Sequence, residues 1–195
     1  GNPIETWVVL SVLEKAVTPF DALAMVVAAS AVIDRTGTDA QKERILPGML
    51  AGESLVCFGF TEPNVGSDLA KISTRATRDD DTWVIDGAKM WTTMAHVADW
   101  VLLLTLSDPS APPYQGYTFF VAPMSTPGIS IDPIWTMSTE RSNATYYDGV
   151  RLGDEWVLGE AGQGWRTLGV MLGFERGMGN TGFGVPLLRR AVEWA

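Results

Sequence analysis

The stretch Leu55-Val56-Cys57-Phe58-Gly59-Phe60-Thr61-Glu62-Pro63-Asn64-Val65-Gly66-Ser67-Asp68 decides the fold, because the chain changes texture there. An apolar run of strand length ends in a loop of hydroxyls, a rigid proline and a glycine. Upstream, apolar residues recur at helical spacing over residues 5–15 and 21–35, broken by Thr18-Pro19 and Thr36-Gly37-Thr38. Thr38 or Asp39 then caps a third, shorter helix through Leu50, with Pro47 limiting its regularity and Ala51-Gly52-Glu53 ending it. Downstream, β-favouring runs cover residues 55–60, 72–78, 82–86, 100–106, 117–122, 128–131 and 145–152. Asp79-Asp80-Asp81, Asp86-Gly87, the Pro109–Pro113 segment and Thr126-Pro127-Gly128 punctuate them. About seven short strands at this spacing predict an antiparallel barrel or sandwich. At Gly162-Gln163-Gly164-Trp165 the strand character stops and helical spacing returns. The expected fold class is therefore α+β and multidomain: helices, then a β-barrel, then further helices.

Composition removes several kinds of chemistry. Fourteen basic against 23 acidic residues leave a net charge of −9 with no basic cluster, which disfavours nucleic acid as a partner. A phosphate-bearing ligand stays compatible, because backbone N–H groups hold phosphate without net positive charge. One cysteine (Cys57) and one histidine (His96) are too few for an internal disulfide or a Cys- or His-based metal site. No Gly-x-Ser-x-Gly elbow accompanies His96, so a Ser-His-Asp hydrolase is not expected. The most apolar stretch, residues 22–33, is too short to span a bilayer. The chain opens on Gly1-Asn2-Pro3 without a basic leader or an A-x-A site and closes within a helical pattern, so a fragment is expected.

Four segments invite a chemical reading beside a structural one. Thr61 to Asp68 presents backbone N–H groups after a strand, which suits either turn chemistry or an anionic cofactor. Lys89-Met90-Trp91-Thr92-Thr93 sets an indole beside two hydroxyls, fitting a planar heterocycle or simply a core strand with Trp91 inside. Phe174-Glu175-Arg176 places a carboxylate beside a guanidinium, either a tuned general base or an ion pair. Gly177-Met178-Gly179-Asn180-Thr181-Gly182 matches the dinucleotide fingerprint, but helix rather than strand precedes it, so close helix packing is the expectation. Asn143-Ala144-Thr145 matches a glycosylation acceptor and is read as chance.

In order, the chain reads Phe58-Gly59-Phe60-Thr61-Glu62-Pro63-x-x-Gly66-Ser67-Asp68, Asp86-Gly87-x-Lys89-x-Trp91-x-Thr93, Tyr147-Asp148-Gly149-Val150, Gly162-Gln163-Gly164-Trp165 and Glu175-Arg176. Together these resemble the acyl-CoA dehydrogenase family. Gly37-Thr38-Asp39-Ala40-Gln41-Lys42 extends the resemblance toward the N-terminus. It implies part of an N-terminal helical domain over 1–53, a middle β-barrel domain over 54–160 and the start of a C-terminal helical domain over 161–195. It also implies FAD as cofactor and an acyl-CoA substrate oxidised to the trans-2-enoyl thioester, with electrons passed to an electron-transfer flavoprotein. A homo- or hetero-oligomer is implied, in the bacterial cytoplasm or, in a eukaryote, the mitochondrial matrix.

Carried over residue by residue, the resemblance has Phe58, Phe60 and Thr61 line the flavin, while Gly66 and Ser67 meet the FAD pyrophosphate and Ser67 also nears the CoA. Trp91, Thr92 and Thr93 flank the ring, Thr93 donating toward the N5 and O4 side. Glu175 is a candidate base for the α-proton, although most members place that base beyond Ala195; Arg176 supports the site and the substrate. Two departures bear on acyl specificity. Arg141-Ser142-Asn143 stands where many straight-chain enzymes have Ser-Asp-Thr, and Met94 replaces the usual Asn after the flavin threonine. The first is closer to bacterial members that take bulky or branched acyl groups, sterol side chains among them. Two alternatives stay open: a non-catalytic partner subunit, and an oxygen-using flavoenzyme of the same fold.

Overall fold

The computed structural model describes residues 8, 9, 12, 20–112, 114–137, 141–177 and 184–194, with side chains given for all of these except 20, 21, 175–177 and 184–187. The helix expected over residues 5–15 falls almost wholly outside this set, as do residues 178–183 and with them most of the glycine fingerprint. Helix α1 (Phe20–Thr36) leads into α2 (Asp39–Ala51), and seven strands follow: β1 (Val56–Gly59), β2 (Arg75–Asp79), β3 (Thr82–Lys89), β4 (Trp100–Leu106), β5 (Tyr117–Pro123), β6 (Ile129–Trp135) and β7 (Arg141–Gly153). Helices α3 (Gly164–Gly177) and α4 (Gly184–Trp194) close the described chain.

Local chemistry sets the helix ends. Thr38 accepts from the Gln41 N–H at 3.2 Å and Gln41 Oε1 accepts from the Thr38 N–H at 2.9 Å, a reciprocal cap that starts α2. The same Gln41 side chain donates to the carbonyls of Glu155 and Val157, at 2.9 and 2.8 Å. One buried amide thus both caps a helix and fastens it to the end of the β-region. Gly52, with φ +73°, ends α2 in the left-handed conformation that glycine tolerates.

The sheet runs β1-β4-β2-β3-β7-β6, with β5 also pairing β4. Pairs β2–β3, β3–β7, β6–β7 and β4–β5 are antiparallel, as the turn spacing suggests. β1 lies parallel to β4, and β2 meets β4 in one parallel pair, Arg75 with Leu106. The parallel pair is possible because the forty residues between β1 and β4 supply the long crossover such a pair requires. No described pairing joins β5 to β6, so the sheet is a curled half-barrel rather than a closed one. β6 continues through Asp132-Pro133, beyond the Ile131 limit expected from sequence. Proline is tolerated there because β6 pairs only with β7 and lies at the edge.

Strand β4 is buried along Val101–Thr105, and alternation divides its side chains between two cores. Leu102 and Leu104, with Val56, Phe119 and Val121, meet Ala29, Val32 and Ile33 of α1, Ile45 of α2 and Leu168 and Met171 of α3. Val101 and Leu103 turn into the half-barrel with Cys57, Ile85, Phe120, Tyr147, Val150 and Leu152. The helices therefore cover one face of the sheet, and curling buries the other.

Gly164 starts α3 against β5, where an added Cβ would lie 2.8 Å from the Phe119 nitrogen and the Thr118 carbonyl carbon, both backbone atoms. Backbone cannot swing aside as a side chain can, so Gly164→Ala is expected to cost about 2–3 kcal/mol by overpacking. Denaturant unfolding would read this, and a change below about 0.5 kcal/mol would show that α3 can lift off β5 freely.

Candidate active site

Three strand ends converge. The Met90 N–H, just past β3, donates to the Thr61 carbonyl beyond β1 at 2.8 Å, and the Thr92 N–H donates to the Asn143 carbonyl of β7 at 2.9 Å. The Thr61 loop and the Trp91–Thr93 segment, far apart in sequence, thus occupy one place at the end of the half-barrel.

The loop is held from beneath by a buried ion pair. Lys89 Nζ lies 2.9 Å from Glu62 Oε1, with the two side chains 0% and 3% exposed, and also donates to the Phe60 carbonyl at 3.2 Å. Glu62 further accepts from the Ser73 N–H and hydroxyl, each at 2.7 Å, and from the Thr74 N–H at 2.8 Å. Burial raises the Glu62 pKa, but the Lys89 charge and the hydrogen bonds from Thr74 and Ser73 outweigh it and hold the carboxyl at about 2. Burial pushes the Lys89 ammonium down to about 8 against the attraction of Glu62. Reciprocal hydrogen bonds between Glu62 and Val65 then close a tight turn over Pro63-Asn64, from which Gly66 and Ser67 emerge exposed.

The second segment is a strained turn. Trp91 has φ +61° and Met94 φ +63°, left-handed values that cost a non-glycine residue about 1–3 kcal/mol each. Between them the Thr93 N–H donates to the Trp91 carbonyl at 3.0 Å. Asparagine adopts left-handed φ more readily than methionine, which gives a physical reason for the Asn that the resemblance expects where this chain has Met94. The turn throws the Trp91 indole outward, 55% exposed, so the reading of Trp91 as a core residue is corrected. Left-handed backbone at a large aromatic carried no signal in the sequence.

The expected site residues are placed unequally. The hydroxyls of Thr61, Ser67 and Thr93 make no hydrogen bond to any described residue and remain able to donate. Thr92 is fully buried, its hydroxyl 3.4 Å from that of Thr145, which in turn lies 3.4 Å from the Tyr147 hydroxyl. Its side chain faces inward and anchors the turn. Phe58 is half-buried and stacks on Phe60 at 5.5 Å, and Phe60 packs into the helix-facing core against Phe119 at 5.6 Å. Glu175 and Arg176 lie in the last turn of α3, and their side chains are outside the described part. The neighbouring Phe174 ring sits 4.3 Å beneath the Arg35 guanidinium of α1.

The sequence reading noted Asn143 only within the Arg141-Ser142-Asn143 departure and a chance acceptor motif, and missed its place at the site. Asn143 is fully buried, and besides its backbone bond its Nδ2 donates to the Thr92 carbonyl at 2.9 Å while its Oδ1 accepts from Arg141 Nε at 2.9 Å. It therefore clamps Thr92 twice, its backbone carbonyl holding the N–H and its side-chain amide the C=O. Among the described residues no group of His, Cys, Asp and Glu is placed to hold a metal.

A half-barrel layered on helices, with a hydroxyl-bearing loop and an outward indole on a strained turn at one end, offers a stacking face beside hydrogen-bond donors. Residues 57–150 match the family model described as acyl-CoA dehydrogenase, middle domain, and residues 1–53 match acyl-CoA dehydrogenase, N-terminal domain. The acyl-CoA dehydrogenase FadE29 of Mycobacterium tuberculosis is 34% identical over 196 aligned positions, covering 100% of this chain and 50% of FadE29. A solved structure described as the Tcur3481-Tcur3483 steroid ACAD superposes with a TM-score of 0.91 at 35% identity, covering 100% of this chain and 51% of that one. A glutaryl-CoA dehydrogenase from Mycobacterium smegmatis, solved in complex with FADH2, gives a TM-score of 0.79 at 28% identity over 90% of this chain and 45% of that one. The chain belongs to the acyl-CoA dehydrogenase family, and it spans about half the length of FadE29.

Proposed function

We propose that the protein of which this chain is part performs the FAD-dependent α,β-dehydrogenation of an acyl-CoA thioester to the trans-2-enoyl-CoA. The observation that carries the reading is the convergence of the Thr61 and Thr93 hydroxyls, which bond no described residue, with the outward indole of Trp91, all fixed by backbone bonds at one end of the half-barrel. Such a surface fits a flat, hydrogen-bonding heterocycle: the indole offers a stacking face, and the two hydroxyls donate to its polar edge. FAD bound there supplies the acceptor for the hydride that leaves the β-carbon.

The chain's own residues prepare that site. Thr93 donates to the edge where negative charge accumulates, and the rigid turn keeps the donor in place before reaction. Gly66 leaves room for a close approach, since an added Cβ there would meet nothing within 4 Å, and with Ser67 it offers backbone and hydroxyl donors to phosphate. Phe58 and Phe60 back the loop from the core side, and Thr92 locks the turn. Glu175 takes the α-proton and Arg176 supports the carboxylate and the substrate electrostatically. Electrons pass on to an electron-transfer flavoprotein. The paired designation of the solved Tcur3481-Tcur3483 relative, together with its description as a steroid ACAD, supports a hetero-oligomer acting on a bulky, sterol-derived acyl group. No described helix is long and apolar enough to cross a membrane.

Anaerobic addition of a panel of acyl-CoA thioesters to the full-length protein should bleach the flavin absorbance with one acyl class. Unchanged absorbance across linear, branched and sterol-derived thioesters, with flavin bound, would reject the reaction. Thr93→Val removes the donor while keeping the shape, and the loss of one charge-assisted hydrogen bond should weaken flavin binding or slow its reduction about tenfold or more. Unaltered flavin content and reduction rate would take Thr93 out of the site.

A further inference from the structure

Two basic side chains meet at one amide beside the Trp91–Met94 turn. Arg141 Nε donates to Asn143 Oδ1 at 2.9 Å, and Asn143 Nδ2 faces His96 Nδ1 at 3.3 Å. An amide NH2 can only donate, so Nδ1 is the acceptor and the His96 proton resides on Nε2, a tautomer assigned from the hydrogen-bond arrangement. Burial and the Arg141 charge both hold His96 below the usual histidine value, in keeping with the neutral ring. His96 therefore retains an Nε2–H donor, and Arg141 retains the terminal fork of its guanidinium.

The ion pairs among the described residues are Lys71–Asp68, Arg78–Asp154, Lys89–Glu62 and Arg151–Asp79, so neither Arg141 nor His96 has a carboxylate partner there. Acidic residues outnumber basic ones 23 to 14 in this chain, yet among the described residues these two basic groups stand next to each other without a carboxylate partner. The Arg141 fork and the His96 Nε2–H are adjacent donors, and the Arg141 charge favours an anionic acceptor between them. Trp135, 73% exposed, lies opposite Arg141 in the β6–β7 register and so shares its face of the sheet. Trp91, also exposed, directly precedes the Thr92 that Asn143 clamps, so two exposed indoles belong to the segments that carry the basic pair.

We propose that Arg141 and His96 form an anion-recognition subsite beside the Trp91–Met94 turn, binding the oxygens of a phosphate or carboxylate on a ligand whose body rests against the neighbouring indoles. The ligand's identity rests on the flavin and acyl-CoA reading above, while the subsite itself stands without it. The anionic group comes from a cofactor phosphate, a CoA phosphate or a carboxylate at the far end of the acyl chain.

The test begins on the full-length apoprotein at neutral pH, following the His96 imidazole NMR signal, assigned by its loss in His96→Gln. Inorganic pyrophosphate and glutarate are titrated separately. A saturating shift of the His96 signal with at least one of them, abolished in Arg141→Gln, is the expected result. Gln replaces the fork with an amide that can still donate toward Asn143, so the clamp is spared. No saturating shift with either probe, or the same shift in Arg141→Gln, overturns the subsite. The same variant then distinguishes the sources: about tenfold weaker FAD retention marks a cofactor phosphate, about tenfold higher KM for every thioester marks CoA, and a rise confined to dicarboxylic thioesters marks the acyl carboxylate. If all three are unchanged, no ligand uses the subsite and the proposal fails. A positive His96 result together with an inert Thr93→Val would leave the subsite standing and remove the flavin reading.

Discussion

Glu62→Gln or Lys89→Met is expected to cost about 3–5 kcal/mol of folding stability, the largest effect of any single polar substitution considered for this chain. Each change strands the other charge in a region where neither side chain is more than 3% exposed. Glu62→Gln in addition weakens three hydrogen bonds from Ser73 and Thr74 that only an anionic acceptor receives at full strength. The double substitution should recover a large part of the loss, because it removes the uncompensated charge. Four denaturant curves measure the coupling, and additive costs of less than about 1 kcal/mol each would mean that water reaches the pair.

The pair also predicts a pH response. Glu62 has its folded value at about 2 against 4.5 for the free side chain, so it contributes stability that is complete above 4.5 and is lost as pH falls toward 2. The size is at most about 3 kcal/mol, and Glu62→Gln should flatten that limb relative to the parent. Lys89 acts in the opposite sense: its folded value of about 8 lies below 10.5, so between those values the unfolded chain holds more protons and this contribution rises with pH. The acid limb is therefore the diagnostic one. A Glu62→Gln variant that lost stability with acid as steeply as the parent would contradict it.

Much of the architecture was legible because it depends on periodicity and punctuation. Strand β4 coincides with the expected run, since continuous apolar residues bounded by polar ones signal a strand buried on both faces. The cap at Thr38 was legible for the same kind of local reason. The start of β7 was not: Arg141-Ser142-Asn143-Ala144 has no β-favouring composition and is strand only because β6 pairs with it residue by residue. The parallel pairing of β1 with β4 was likewise hidden, because strand partners over forty residues apart leave no local trace. At the site, the loop and the indole segment were visible as unusual composition. What joined them was not. Lys89, Glu62 and Asn143 act through burial and long-range hydrogen bonds, and a sequence shows neither.

Asn143→Ala should loosen the Trp91–Met94 turn and cost about 1–3 kcal/mol of stability. The substitution leaves the Thr92 carbonyl without its 2.9 Å donor and Arg141 Nε without its acceptor, while the backbone bond from the Thr92 N–H persists. Strain at Trp91 and Met94 favours relaxation once the side-chain clamp is gone, opposed by the remaining backbone bonds of Thr92 and the long hydroxyl contact with Thr145. Relaxation moves the Thr93 donor and the indole together, so flavin retention should fall with stability by about tenfold or more. Asn143→Asp sharpens the test: its carboxylate still accepts from Arg141 but turns an oxygen toward the Thr92 carbonyl, two acceptors facing each other. Flavin retention should suffer in Asn143→Asp although the Arg141 bond, now charge-assisted, is kept. Parent-like flavin content in both variants would show that Asn143 serves the β7 edge alone and that the turn keeps its shape without it.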